Sequence, residues 1–300
     1  MSNIVTFRNS ETLPLSGWYA RPDSGADGGP VLVAIHGGGY SSHYWRFESM
    51  GEATLAHIGP AEGLTVVAVN RPGTGLDDVP VTTFDQQADL IIRTVAGLLA
   101  GPLAGTDSAP RDRRPVVLVG HSIGAALSCL IAAEHSNRIN VVGIDVSGFA
   151  TRFRTGDSLA TLQTVAGSPE PVTVGDRERT ELFFGESGTW DQGVAAEDNA
   201  AACPAEPLDL GEILKFPGML ATVASQIDVP VNYSLGGSDI LYAVDDDSVD
   251  LVRASFTASP AFAGHLYEQL GHCIHLHRRG GEIVRCAVDF AKKLGYAPSR

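Results

Sequence analysis

Apolar residues cluster along this chain in short, unbroken blocks. Val31–Ile35, Leu64–Val69, Val116–Val119, Asn140–Val146 and Val229–Leu235 are each rich in valine and isoleucine, and each runs into glycine or another turn former or into a polar residue. Blocks of that length without polar alternation fit strands buried on both faces, as in a parallel sheet covered by helices. Between them the period changes. Phe84, Ala88, Ile91, Ile92, Val95, Leu98 and Leu99 recur at helical spacing, and an Ala-rich pattern begins at Ala125. Ile4–Phe7 and Thr12–Ala20 alternate as a hairpin at the edge of the sheet. A helix is expected from about Trp45 to His57 and another over Val244–Phe256. Phe262–Leu270 reads as the last strand and Glu282–Leu294 as a closing amphipathic helix. Strands alternating with helices imply right-handed crossovers and a ligand site beyond the carboxyl ends of the strands.

The alternation lapses between Phe149 and Gln226, where glycine, proline, acidic residues and separated aromatics dominate. A structureless loop of that length inside a compact chain is rare, so the segment is expected to be a small helical cap over the site. The division is therefore 1–148 and 227–300 for the core, and 149–226 for the cap.

Composition narrows the function. A net charge of −14 over 300 residues repels phosphate backbones and anionic bilayers, which argues against nucleic acid and membrane partners. It also disfavours an acidic carrier protein, unless a local basic patch intervenes. The start of the chain has neither a basic nor an apolar leader segment, and no apolar run approaches the length of a membrane span, so a cytoplasmic protein is expected. Four cysteines, Cys129, Cys203, Cys273 and Cys286, have no paired spacing and are expected to be free thiols. No metal or other cofactor is implied.

The chemistry concentrates at strand ends. Gly120-His121-Ser122-Ile123-Gly124 places a serine between a buried strand and a helix, in a turn too tight for a Cβ at either glycine. The motif arises by chance often enough that its flanks must decide, and here both are correct. The helix after Ser122 aims its first amides at an oxyanion. His36-Gly37-Gly38-Gly39 follows another strand, and a Gly38 or Gly37 amide can join that of Ile123 as the second half of an oxyanion hole. His36 is expected to brace this loop. Asn70–Gly75 carries no nucleotide motif and shapes one rim.

Ser122 needs a base near neutrality. His272, in a glycine-led loop after the last strand, is best placed, with His275 and His277 as rivals. The carboxylate that orients the base is Asp239 at the end of Gly236-Gly237-Ser238-Asp239, with Asp145 and Asp245–Asp247 still open. Candidates for the substrate pocket are Tyr40, His43, Tyr44 and Trp45 after the glycine run, His121 beside the serine although the turn directs it away, and Phe149, Phe153, Phe184 and Trp190 in the cap.

HGGG, GHSIG, a strand-end GGSD and GHCIHLH, in this order, resemble the α/β-hydrolase superfamily over about 31–146 and 229–294. The resemblance implies an eight-stranded, mostly parallel sheet with helices on both faces, a cap after the sixth strand, and nucleophile, acid and base at Ser122, Asp239 and His272. It further implies a serine hydrolase, of the carboxylesterase or thioesterase type, acting on an ester, lactone or thioester of a small, largely apolar molecule. A lyase or acyltransferase on the same fold is the alternative, and a non-catalytic binding protein a remoter one.

Overall fold

The computed structural model of the chain describes residues 4–22, 29–74, 78–104, 114–185 and 187–295. Gly75, read above as part of the loop that shapes one rim, lies outside them. Eight strands form one sheet: β1 (Ile4–Phe7), β2 (Gly17–Ala20), β3 (Val31–Ile35), β4 (Thr65–Val69), β5 (Val116–His121), β6 (Val141–Ser147), β7 (Val231–Gly236) and β8 (Phe262–Tyr267). Their spatial order is β1-β2-β4-β3-β5-β6-β7-β8. β1 and β2 run antiparallel, and every pairing from β4 to β8 is parallel. β2 joins β1 to β4 at this edge of the sheet.

Successive side chains of a strand face opposite ways, and the core divides accordingly. Val31, Val33 and Ile35 of β3 pack into one cluster with α2 (Phe84–Ala100) and α3 (Ile123–His135). Leu32 and Ala34 face the other way, toward α1 (Leu55–Ala61) and α10 (Gly280–Gly295). Both faces are covered, which is why these strands read as continuous apolar blocks.

Two helices are shorter than their patterns suggest. The stretch from Ser42 to Ala53 forms two short 3-10 segments, and the second is kinked at Gly51 with φ 54°. The continuous helix expected to His57 is absent there because the backbone turns left-handed at Gly51. α9 covers only Ser248–Arg253, because the residues before it form a turn in which the Ser248 hydroxyl donates to the Asp245 carboxylate at 2.7 Å and accepts from the Asp245 amide at 2.8 Å.

Between β6 and β7 lie five helices: α4 (Asp157–Ala166), α5 (Asp176–Phe184), α6 (Gln192–Ala200), α7 (Pro207–Ile213) and α8 (Phe216–Ala224). Each is at most three turns long, so they depend on anchors. Arg71, at the end of β4, is 2.8 Å from Asp209 of α7, both buried, and Gln87 of α2 donates to the same carboxylate. Within the segment Arg179 of α5 pairs with Asp198 of α6.

Candidate active site

The turn from β5 to α3 sets the geometry. Ser122 has φ 55° and ψ −119°, a left-handed conformation that among the described residues only Asn140 shares outside glycine. A strained residue held by its surroundings is a common device of functional sites. The surroundings here are the two glycines: a Cβ on Gly120 would lie 2.5 Å from the Gly124 carbonyl oxygen, and one on Gly124 would lie 2.0 Å from that of Ile35. The Ser122 amide donates to the Ser147 carbonyl at 2.8 Å, fixing the turn against β6.

A second pair of glycines brings the acid to the base. A Cβ on Gly236 would sit 2.3 Å from the Gly271 carbonyl oxygen, and one on Gly237 would sit 2.5 Å from that of Glu268. The β7 turn therefore packs backbone to backbone against the loop after β8. His272 Nδ1 and Asp239 Oδ2 consequently stand 2.7 Å apart, both buried, while Asp239 Oδ1 accepts from the Leu241 amide. An imidazole so held presents Nε2 on its far side. The rings of His121, Phe183 and Tyr242 surround His272 at 4.9, 5.8 and 6.3 Å.

The rival residues have other partners. His277 Nε2 accepts from the Gly271 amide and its Nδ1 faces the Thr189 hydroxyl, so it braces the His272 loop as a neutral ring. Burial holds His277 down at about 4 and His275 at about 3. Asp145 accepts from Asn232 within the sheet, and burial raises it to about 7. Asp245 meets Ser248 and Arg152.

The HGGG loop is oriented by a residue whose role the sequence did not reveal. Arg71 Nε donates to the His36 carbonyl at 3.1 Å, and Arg71 Nη2 donates to that of Gly37 at 3.2 Å. In a planar trans peptide the carbonyl and the following N–H point opposite ways, so the Gly37 and Gly38 amides are aimed away from Arg71. His36 completes the brace, with Nδ1 toward the Gly37 carbonyl and Nε2 accepting from the Arg71 amide. Burial and Arg71 hold His36 well below its ordinary value, in keeping with a neutral ring. The signal available in the sequence was only that Arg71 is a charged residue two positions past a buried strand.

Gly37, Gly38, Ser122, Ile123 and His272 border one cavity of about 750 Å³, part of it open to solvent. Leu162, Val165, Leu182, Phe183, Leu210 and Ile213 of the five-helix segment supply much of the apolar wall. Of the pocket candidates, Tyr40, His121 and Phe153 border it. The His121 ring is held by Ser147 and Cys273 and stacks on Tyr44 at 5.1 Å, with the His272 ring 4.9 Å away.

The other six pocket candidates lie elsewhere. His43 bonds Glu197 at 2.8 Å, Tyr44 bonds His275, and Trp45 packs on both Tyr44 and His275. Phe149 is enclosed by Phe216 and Tyr233, and Phe184 packs with Trp190. The neighbouring Phe183 takes the wall position instead, because adjacent residues of α5 diverge by about 100°. Among the described residues, no group of three His, Cys, Asp or Glu is arranged to hold a metal, and no helix is long and apolar enough to cross a membrane.

A strained serine elbow at the carboxyl end of a parallel sheet, facing a glycine-rich loop, defines a class of fold and site. The profile of the Alpha/beta hydrolase family matches residues 32–285. The chain belongs to that family. Similar solved structures include a lipase in an open form (20% identity, TM-score 0.67, covering 99% of this chain and 100% of that chain). A thermophilic esterase from Thermogutta terrifontis with malate bound (16%, 0.64, 98% and 100%) and E-2-(acetamidomethylene)succinate hydrolase (17%, 0.63, 96% and 99%) are also similar. At these identities the likeness establishes the fold. No curated protein sequence matches the chain.

Proposed function

We propose that the chain is a serine hydrolase that cleaves an ester-type bond through an acyl-enzyme. His272 Nε2 takes the Ser122 proton as Oγ attacks the carbonyl carbon, and the negative oxygen is met by the amides of Ile123 and Gly38 or Gly37. As the intermediate collapses, the bond to the leaving group breaks and His272 returns the proton to it. Water, deprotonated by His272, then releases the acid and frees Ser122. Asp239 holds the tautomer with Nδ1–H and stabilises the imidazolium.

The observation that carries this reading is the 2.7 Å contact between His272 and Asp239 on the same cavity as the strained Ser122. The apolar wall supports a small, largely apolar acyl or alcohol group, and the five helices serve as the cap that covers it. The lipase and esterase among the similar structures support ester chemistry over elimination. Nitrophenyl esters of graded chain length, hydrolysed in water carrying heavy oxygen, provide the test. Release of nitrophenol with the heavy oxygen in the acid is expected, and turnover without it counts against the acyl-enzyme.

A further inference from the structure

Among the described residues, one cation borders this otherwise largely apolar cavity, and it has no part in the proton transfers. Arg179 of α5 is almost wholly buried, with side-chain exposure of 3%, and its partner Asp198 is at 0%. Asp198 occupies one edge of the guanidinium, accepting from Nε at 2.5 Å and from Nη2 at 3.3 Å. A guanidinium has five N–H groups and two edges able to grip a carboxylate with two parallel bonds. Bracing the cap requires only the Asp198 edge. The edge formed by Nη1 and Nη2 remains, and Nη1 lies 3.0 Å from where a Cβ on Gly39 would stand, next to the HGGG amides. Tyr40 and Phe183 fix the plane, their rings centred 4.3 and 5.0 Å from the guanidinium carbon.

We infer that the remaining edge of Arg179 binds a carboxylate carried by the substrate, so that the molecule cleaved is an acid as well as an ester. This deepens the hydrolase reading and rests on it. A guanidinium stays charged, and in surroundings of low polarity a carboxylate satisfies its buried donors better than a neutral oxygen does. The chain's negative charge does not oppose this at the site, because exposed charges more than about 8 Å away are largely screened. Gly39 directly follows the oxyanion glycine Gly38, and consecutive Cα atoms are about 3.8 Å apart. The cation therefore stands one residue along the chain from the oxyanion glycines, and a short dicarboxylate half-ester is the probe suited to such a gap.

The experiment compares mono-nitrophenyl glutarate with nitrophenyl pentanoate, which has the same acyl length and no second carboxylate. The wild-type chain is expected to favour the glutarate in kcat/KM by roughly tenfold or more, the range for a hydrogen bond between charged groups. Arg179→Lys keeps a charge for Asp198 but loses the fork, and Arg179→Met with Asp198→Leu removes the pair together. In both the preference is expected to collapse toward one. A wild-type preference for the neutral ester, or a glutarate preference that survives both changes, overturns the inference. Should neither variant fold, inhibition of wild-type turnover by free glutarate but not by pentanamide supports the site, and its absence overturns it. If no ester turns over at all, the hydrolase reading fails by itself. Calorimetric binding of glutarate then still decides whether Arg179 holds a carboxylate.

Discussion

The carboxyl edge of the sheet and the five helices above it are built on different principles. At the sheet edge, backbone touches backbone: Gly124 on Ile35, Gly236 on Gly271, Gly237 on Glu268. Positions there are set by chain geometry and tolerate almost no added atom. The helical segment adds buried ion pairs, Arg71–Asp209 to the core and Arg179–Asp198 within itself, to a few backbone contacts such as the Cys273 amide on the Phe183 carbonyl and the Cys203 amide on the Gly39 carbonyl. The ends of the strands are therefore the more tightly constrained of the two regions, and a change in the helical segment is expected to disturb their geometry less.

The contrast can be broken most severely at the sheet edge. Ser122→Ala or His272→Gln is expected to lower kcat on nitrophenyl esters by on the order of a thousandfold or more. Circular dichroism should show the fold retained. Next comes the anchor of the five-helix segment: Asp209→Ala leaves the Arg71 charge buried without its carboxylate, at a cost of about 3–5 kcal/mol of stability. Because Arg71 also orients the HGGG carbonyls, kcat should fall with it. A denaturant melt combined with kinetics checks both, and a loss of stability with unchanged kcat would separate the anchor from the HGGG loop.

A smaller effect sharpens the core side. Asp145 is raised by burial from 3.8 to about 7, so the folded state holds its proton where the unfolded chain has lost it. Its contribution is complete below about 3.8 and is lost progressively as pH rises toward 7. Asp145→Asn should therefore stabilise the protein relative to wild type, with a gain that grows over that window and levels off above it. Melting temperatures across pH provide the check. Smallest is the pair of neighbouring phenylalanines. Phe184→Leu should cost roughly 1–2 kcal/mol and leave chain-length preference alone. Phe183→Leu, on the cavity wall, should shift that preference severalfold.

What could be read from the chain follows the same division. Strands buried on both faces advertise themselves as valine-rich blocks, and Gly120, Gly124, Gly236 and Gly237 stand where only glycine fits. The sheet and the juxtaposition of His272 with Asp239 were accordingly legible. The packing of the five helices was not, because which face of a short helix meets the cavity depends on how it docks. Phe183 and Phe184 are indistinguishable by residue type and differ only by that rotation. Arg71 and Arg179 escaped for another reason: their partners, Asp209 and Asp198, are fixed only by the tertiary fold, and no local spacing announces a buried pair of this kind.

The central claim is that Ser122 is a nucleophile activated by His272. Labelling the intact chain with a fluorophosphonate and mapping the adduct by mass spectrometry tests it most directly. The account predicts one adduct, on Ser122, formed at a rate that drops sharply in His272→Gln. Wild-type-rate labelling in His272→Gln, or an adduct that persists in Ser122→Ala with ester turnover intact, would contradict it.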